Sequence, residues 1–223
     1  MPNAIVTGGS AGLGLALITD LVAAGWTVTT TARNRATLAQ VADPLDGVHW
    51  LAGDVADPDH RERLVRLAAE AGPIELLINN ASELGGSPQP QLRDLAGDTF
   101  ARILAVNLVA PLELINAARP WLAPDAVIIN LSSDAAADHY AGWGGYAASK
   151  SALDHLTATL AAEEPERRWY AVDPGDLRTA MHQAAFPGED ISDRPLPETA
   201  SPAFLRLITT RPASGRYRAA EVA

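Results

Sequence analysis

The chain has 223 residues, no cysteine and a net charge of −10. Its length suffices for one sizeable hydrophobic core, and no linker rich in Ser, Gly or Pro divides the first 180 residues. The absence of cysteine excludes disulfides and thiolate metal sites, and the scattered histidines give little support to a metal centre. The acidic balance argues against a broad basic surface for nucleic acid.

No run of 18 uncharged apolar residues occurs, and the first predicted strand begins already at Asn3. We therefore expect neither a signal peptide nor membrane association, and we take a cytoplasmic location as the default.

Strand-like and helical patterns alternate along the chain. The predicted strands are Asn3–Thr7, Thr27–Ala32, Val48–Ala52, Ile74–Asn79, Ala126–Leu131, Trp169–Val172 and, weakly, Arg216–Ala219. The main predicted helices are Leu15–Ala24, Asp57–Ala71, Thr99–Leu122 and Tyr146–Glu163. This alternation predicts one α/β domain over residues 1–223, a Rossmann-like doubly wound parallel sheet with helices on both faces. Ligands of such sheets lie beyond the carboxyl ends of the strands.

The first strand leads into a glycine-rich turn, Thr7–Gly14, and then into a helix. Glycines let the backbone approach a phosphate, and a helix N-terminus supplies unpaired N–H groups. The Gly-x-x-x-Gly-x-Gly spacing is neither the ordinary dinucleotide fingerprint nor a P-loop. A nucleotide cradle is therefore predicted, although such a turn can also be purely structural.

Tyr146 stands four residues before Lys150 and thirteen residues after Ser133. In a helix, side chains at i and i+4 share one face, so the ammonium can sit beside the phenol and favour its ionised form. Such a phenol can exchange a proton near neutral pH. The same spacing also fits a solvated helix face, so its weight depends on the rest of the chain.

Together, these features resemble the classical, single-domain type of the short-chain dehydrogenase/reductase family, and the resemblance covers nearly the whole chain. The matching segments, in order, are the glycine turn, Asp54-Val55, Asn79-Asn80-Ala81, Asn107, Ser133, Tyr146 with Lys150, and Pro174-Gly175 with Thr179.

The resemblance implies an oxidoreductase that moves hydride between a nicotinamide cofactor and a small carbonyl or alcohol. Tyr146 would be the general acid or base, Ser133 would stabilise the developing alkoxide, and Lys150 would lower the pKa of the phenol. Asn107 would interrupt its helix and hold a water that links the lysine to solvent. Ser132 competes with Ser133 for its role, but the spacing to Tyr146 favours Ser133.

The resemblance also assigns the cofactor contacts. Asp54 and Val55 would lie at the adenine, Asn79, Ala81 and Lys150 at the ribose and nicotinamide, and Pro174, Gly175 and Thr179 around the nicotinamide. The turn would contribute Gly8, Ser10, Gly12, Leu13 and Gly14. Ser82 stands where the family usually has glycine, so we expect a slightly displaced backbone there.

The end of the second predicted strand favours NADP(H) over NAD(H). Ala32 occupies the position where an NAD site usually has Asp or Glu, and Arg33 follows it. Without the carboxylate, Arg33 can make a charge-assisted contact with a 2′-phosphate. Alternatively, Arg33 and Arg35 are solvated loop residues. Because Ser10 and Ala11 supply no further basic residue in the turn, we expect preference and not strict selectivity.

The substrate side is less defined. Candidate wall residues are Glu83, Leu84, His139, Tyr140, Trp143, Met181, His182 and Phe186, which suggest a small or medium, partly apolar substrate, although each also fits ordinary loop packing. The segment 178–210, rich in Pro, Asp and Glu in its middle, is predicted to be a mobile flap.

Apolar residues beyond a single inward stripe on Thr99–Leu122 and Tyr146–Glu163 predict a homodimer, with a tetramer as the alternative. Two other functions stay open from the sequence: a non-catalytic cofactor-binding regulator, and an epimerase or dehydratase of the same fold without net redox turnover.

Overall fold

Seven parallel strands form one sheet in the order β3-β2-β1-β4-β5-β6-β7, in a computed structural model that describes residues 1–222. The pairing is parallel at every step across the sheet. The strands are β1 Asn3–Thr7, β2 Thr27–Ala32, β3 Val48–Ala52, β4 Ile74–Asn79, β5 Leu122–Leu131, β6 Arg168–Asp173 and β7 Gly215–Arg218. From the central pair β1 and β4, the chain adds β2 and β3 on one side and β5, β6 and β7 on the other. This change in the order of the strands opens a crevice at the carboxyl ends of β1 and β4.

Helices cover both faces of the sheet. They are α1 Gly12–Ala23, α2 Arg35–Ala42, α3 Pro58–Ala69, α4 Gly97–Leu104, α5 Ala110–Ala118, α6 Gly144–Glu163, α7 Ala180–Ala185 and α8 Ser201–Thr210. Local chemistry sets several boundaries: the Asp57 carboxylate accepts a hydrogen bond from the Asp59 N–H at the start of α3, and Pro58 occupies the first turn. The Asn34 side chain caps α2 in the same way, by accepting from the Thr37 N–H.

Alternate residues of each central strand enter opposite cores. Val6, Ile78 and Ile129 pack with α1 and α8, whereas their neighbours Ile5, Leu77 and Ile128 pack with α3, α5 and α6. Because both faces are covered, the strands are apolar on both sides and do not alternate apolar with polar residues. The predicted doubly wound parallel fold is confirmed.

The stretch predicted as one helix over Thr99–Leu122 is divided. A π-helical turn at Ala105–Val109 separates α4 from α5, a 3₁₀ turn follows at Arg119–Trp121, and Leu122 already belongs to β5. By length and apolar composition, Gly97–Trp121 could cross a membrane, with a mean hydropathy of 1.4 over its most apolar window. Core helices meet the same criterion, and Leu114 and Ile115 of this stretch are fully buried against the sheet.

The predicted flap over residues 178–210 is too long at its C-terminal end. Residues 201–210 form α8, whose Phe204 and Leu207 lie in the core beside α1. The helix is amphipathic, with a buried apolar stripe, so it belongs to the fixed frame of the molecule. The remaining part is residues 178–200, of which Thr179, Met181 and His182 line the crevice, and its mobility stays a prediction.

Replacing Phe204 with Ala should lower the free energy of unfolding by about 3–5 kcal/mol, because the ring is fully buried and its removal leaves a cavity. The matched control is Leu196→Ala, whose side chain is 48% exposed and should change stability by no more than about 0.5 kcal/mol. Urea denaturation followed by tryptophan fluorescence measures both. A Phe204→Ala loss as small as that of the control would mean that α8 is not part of the core.

Candidate active site

The carboxyl ends of the strands surround a cavity of about 500 Å³. Most of the residues predicted to bind cofactor line it: Gly8, Ser10, Gly12, Leu13, Gly14, Arg33, Asp54, Val55, Ala81, Lys150, Pro174, Gly175 and Thr179. Ser133 and Tyr146 line the same cavity, so one space joins the predicted cradle to the predicted catalytic groups.

The glycine turn has a shape that only glycine permits. Gly8 and Gly12 have φ angles of +76° and +55°, and a Cβ added to Gly14 would lie 2.2 Å from the Gly8 carbonyl oxygen. No side chain caps the N-terminus of α1, so its first N–H groups face the cavity without a side-chain partner. Such a turn and helix end fit the pyrophosphate of a dinucleotide.

The structure does not bring Asn79 to the cavity, which corrects its assignment to the cofactor. The side chain is buried behind the cavity, where its Nδ2 donates to Asn130 Oδ1 at 2.8 Å. The next residue, Asn80, lines the cavity instead and donates from Nδ2 to the Thr7 carbonyl at 2.8 Å. Asn79 is the last residue of β4 and still pairs with Asn130 of β5, so the second asparagine is the first one beyond the strand and faces the ligand side.

Tyr146 and Lys150 lie in the first turns of α6. The Tyr146 side chain is buried, and the Lys150 Nζ donates to the Leu131 carbonyl at 2.7 Å and lies 5.5 Å from the centre of the Tyr146 ring. The predicted helix face is therefore buried and not solvated.

Ser133 and Ser132 differ in where their hydroxyls point. Ser133 Oγ donates to Asp134 Oδ1 at 2.9 Å and lies on the side of Tyr146, where it lowers the pKa of the phenol. Ser132 Oγ donates to Asp154 Oδ2 at 2.7 Å. This arrangement favours Ser133 as the serine that acts beside Tyr146.

Asn107 lies at the centre of the π turn and does not line the cavity. Its carboxamide accepts from the Glu83 N–H at 2.8 Å and donates to the Glu83 carbonyl at 2.9 Å. Its Nδ2 also donates to Ser149 Oγ at 3.0 Å. The asparagine thus joins the loop after β4 to the helix that carries Tyr146.

Comparison with known proteins identifies the family in which this geometry occurs. The sequence model of the short chain dehydrogenase family matches residues 2–190. The short-chain dehydrogenase/reductase FrzI of Cladobotryum sp is 36% identical over 185 residues, which cover 79% of this chain and 70% of that protein. L-xylulose reductase of Bos taurus is 34% identical over 189 residues, covering 82% and 75% of the two chains. The chain belongs to the short-chain dehydrogenase family.

Solved structures agree with this assignment. A short chain dehydrogenase from Escherichia coli CFT073, solved in complex with NADPH, has a TM-score of 0.89 at 28% identity, covering 98% of this chain and 96% of its own. A Salmonella enterica member has a TM-score of 0.89 at 26% identity, covering 98% and 95%. As a family member, the chain is an oxidoreductase that uses a nicotinamide cofactor and a small-molecule substrate.

The electrostatics of this short-chain dehydrogenase depart from the sequence expectation. Burial raises the pKa of Tyr146 to about 12, although hydrogen bonds with Ser133 and Ser82 lower it. Burial also lowers the pKa of Lys150 to about 8, against the carboxylate of Asp154, which raises it. Among the protein's own groups, desolvation therefore outweighs the hydrogen bonds to the phenol, and the lowering of its pKa by Lys150 stays a prediction.

Sequence analysis missed the role of Ser82 and overlooked Arg102. The Ser82 hydroxyl faces Tyr146 and donates to Asn107 Oδ1 at 3.2 Å. A serine in place of the family's usual glycine was a visible signal for it. Arg102 lines the cavity from α4, and nothing in its local sequence indicates that position.

The predicted substrate wall is present only in part. Trp143 meets the Tyr146 ring edge to face at 5.7 Å between centroids, and Leu84 and Met181 complete an apolar side. His182 and Glu83 also line the cavity, as polar groups. Phe186 packs behind this wall against Trp143, and His139 and Tyr140 do not line the cavity.

The buried ammonium predicts a pH dependence. Because the pKa of Lys150 is about 8 in the fold and about 10.4 in an unfolded chain, the unfolded state binds more protons between these values. The wild type should therefore gain about 2 kcal/mol of unfolding free energy relative to Lys150→Met as the pH rises through this window. Urea denaturation of both proteins at pH 7.5 and pH 10 measures the difference. A gap that stays constant would mean that Lys150 is not desolvated.

Proposed function

We propose that this chain is an NADP(H)-preferring reductase that interconverts a carbonyl and an alcohol, with Tyr146 as general acid and base, and that it acts in the cytoplasm on small, partly apolar compounds. The observation that carries the proposal is the convergence of Tyr146, Ser133 and Lys150 with the glycine turn around one cavity. The names of the relatives support it, since L-xylulose reductase and sepiapterin reductase are among them.

The cofactor would be held by the glycine turn, by Arg33, Asp54 and Val55 at the adenosine end, and by Ala81, Pro174, Gly175 and Thr179 at the other. A nicotinamide bound there would supply hydride to the substrate carbon or accept it. The remaining chemistry belongs to the chain's own side chains.

Tyr146 would give its phenolic proton to the substrate oxygen as negative charge develops there. A phenol with a pKa of about 12 is protonated at neutral pH, which suits an acid in the direction of reduction. The Ser133 hydroxyl would turn its proton from Asp134 to donate to the same oxygen. Lys150 would stabilise the phenolate left behind, because its ammonium is buried beside the ring.

The function is tested with the purified protein and a panel of small ketones and aldehydes. Cofactor absorbance and product mass are followed together. Reduction consumes cofactor in step with product. Product without cofactor consumption would instead indicate epimerisation or dehydration, and tight cofactor binding without any product would indicate a regulator.

Tyr146→Phe should lower kcat at least about 100-fold, because it removes the only proton that the site transfers in this mechanism. The affinity for NADPH, measured by fluorescence titration, should change no more than about twofold, since the ring remains. Retention of more than about a tenth of the wild-type rate would assign the acid to another residue.

Ala32→Asp should shift preference toward NADH. The new carboxylate can accept hydrogen bonds from ribose hydroxyls and repels a 2′-phosphate. The ratio of kcat/KM for the two cofactors is the measurement. An unchanged ratio would show that the end of β2 does not contact the adenosine ribose.

We also propose a homodimer formed through α4, α5 and α6. Ile103, Leu114, Ile115, Leu153 and Leu160 pack within the subunit, whereas Leu104, Leu108, Leu112 and Leu156 stay half-buried and Val109 is 48% exposed. This partly uncovered apolar face suits a two-fold contact. Light scattering at micromolar concentration should give twice the 23.4 kDa chain mass, and Leu112→Glu should halve it. A wild-type mass near one chain would contradict the dimer.

A further inference from the structure

Four charged side chains join in a row at the adenosine end of the cavity. Arg33 follows β2, Asp54 follows β3, Glu83 follows β4, and Arg102 comes from α4. Arg102 Nη2 donates to Asp54 Oδ2 at 2.7 Å, and its Nε donates to Glu83 Oε2 at 3.2 Å. The same Glu83 oxygen lies 3.5 Å from Arg33 Nη1. One carboxylate oxygen is therefore shared by two guanidinium groups.

The position of Glu83 is fixed by its backbone. Asn107 binds both its N–H and its carbonyl, so the residue cannot shift without breaking two hydrogen bonds. The Glu83 side chain is 26% exposed, whereas that of Arg33 is 68% exposed. The carboxylate is the more confined partner, and the arginine is free to turn toward a ligand.

A 2′-phosphate held by Arg33 would meet the Glu83 carboxylate close by. Two anions would then compete for the same guanidinium, and their repulsion is strong in a partly desolvated cavity. Arg102 reduces this effect, because it draws Glu83 toward α4 and shares its charge. Asp54 weakens this effect of Arg102, since it accepts a hydrogen bond from Nη2 of the same guanidinium and shares its charge.

We propose that Glu83 and Arg102 determine cofactor specificity together: Glu83 competes with the ribose 2′-phosphate for Arg33 and so weakens NADP(H) binding, while Arg102 restrains Glu83. This inference rests on the proposed contact between Arg33 and the 2′-phosphate. It accounts for a site that lacks an acidic residue at Ala32 and yet places a carboxylate 3.5 Å from Arg33. Preference for NADP(H) would be set by the balance of these two residues.

The test measures binding without turnover. The probes are 2′-AMP and 5′-AMP, titrated by calorimetry into the purified full chain at low ionic strength, where charge effects are least screened. Glu83→Gln removes the charge but keeps an acceptor for Arg102. We expect it to tighten 2′-AMP binding about 3- to 10-fold, or about 0.7–1.4 kcal/mol, with 5′-AMP unchanged. Equal or weaker 2′-AMP binding would overturn the proposal, because Glu83 would then orient Arg33 and not oppose its ligand.

The matched control is Glu62→Gln, which makes the same change in net charge at an exposed ion pair with Arg66 on α3. It should leave 2′-AMP binding within about twofold. A control that tightens binding as much as Glu83→Gln would mean that net charge alone is responsible and would overturn the local competition.

Arg102→Met completes a double-mutant cycle. Without Arg102, Glu83 has only Arg33 as an ionic partner, so 2′-AMP binding should weaken several-fold. In the Glu83→Gln background the same change should have much less effect. Equal losses in both backgrounds would show that Arg102 binds the phosphate independently of Glu83 and would contradict its restraining role.

Arg33→Met separates this inference from the proposed function on which it rests. If Arg33→Met loses 2′-AMP affinity and Glu83→Gln does not gain it, only the competition fails. If Arg33→Met changes nothing, the proposed 2′-phosphate contact fails first. Should Glu83→Gln fold poorly in a thermal melt, Glu83→Asp draws the charge back from Arg33 and should tighten 2′-AMP binding in the same direction. If Glu83→Asp does not tighten 2′-AMP binding, the proposal is overturned as well.

Discussion

The side chain of Asn107 is the contact on which the rest of the site depends. A single carboxamide binds the backbone of Glu83 on both sides and reaches Ser149 on α6. The π turn makes these contacts possible, because its extra residue changes the backbone geometry of the helix around the asparagine. These hydrogen bonds fix three parts of the protein relative to one another: the loop after β4, the helices α4 and α5, and α6, which carries Tyr146. The spacing between these walls of the cavity therefore depends on this one amide.

Burial changes the pKa values of Tyr146 and Lys150 more than their interaction with each other does. The phenol of Tyr146 and the ammonium of Lys150 are both desolvated, which shifts each toward its neutral form, although a pKa of about 8 leaves Lys150 mostly protonated at neutral pH. Ser82 and Ser133 act against this by hydrogen bonding to the phenol. In the proposed mechanism the site therefore starts from a protonated tyrosine, and the two hydroxyls would turn from Asn107 and Asp134 to stabilise the phenolate.

The sheet and most of the cavity could be predicted because strand periodicity and the order of the glycine turn, Tyr146 and Pro174-Gly175 are local signals. Three features could not. Asn80 and not Asn79 lines the cavity because of where β4 ends, which is set by its pairing with β5. The position of Arg102 depends on the packing of α4 and has no local pattern. The burial of α8 depends on its contact with α1, and the acidic, proline-rich stretch before it resembles a mobile surface segment.

The cations of the cavity show how a chain of net charge −10 can hold an anionic cofactor. Within residues 1–222, the arginines and lysines that line the cavity are Arg33, Arg102 and Lys150. Lys150 donates to a backbone carbonyl, and Arg102 is neutralised by two carboxylates. Little free positive charge remains, so the pyrophosphate would depend on the glycine turn and the α1 N-terminus, whose N–H groups need no counter-ion. Under the proposed competition, cofactor preference would be decided at Arg33, whose guanidinium would bind either the 2′-phosphate or Glu83.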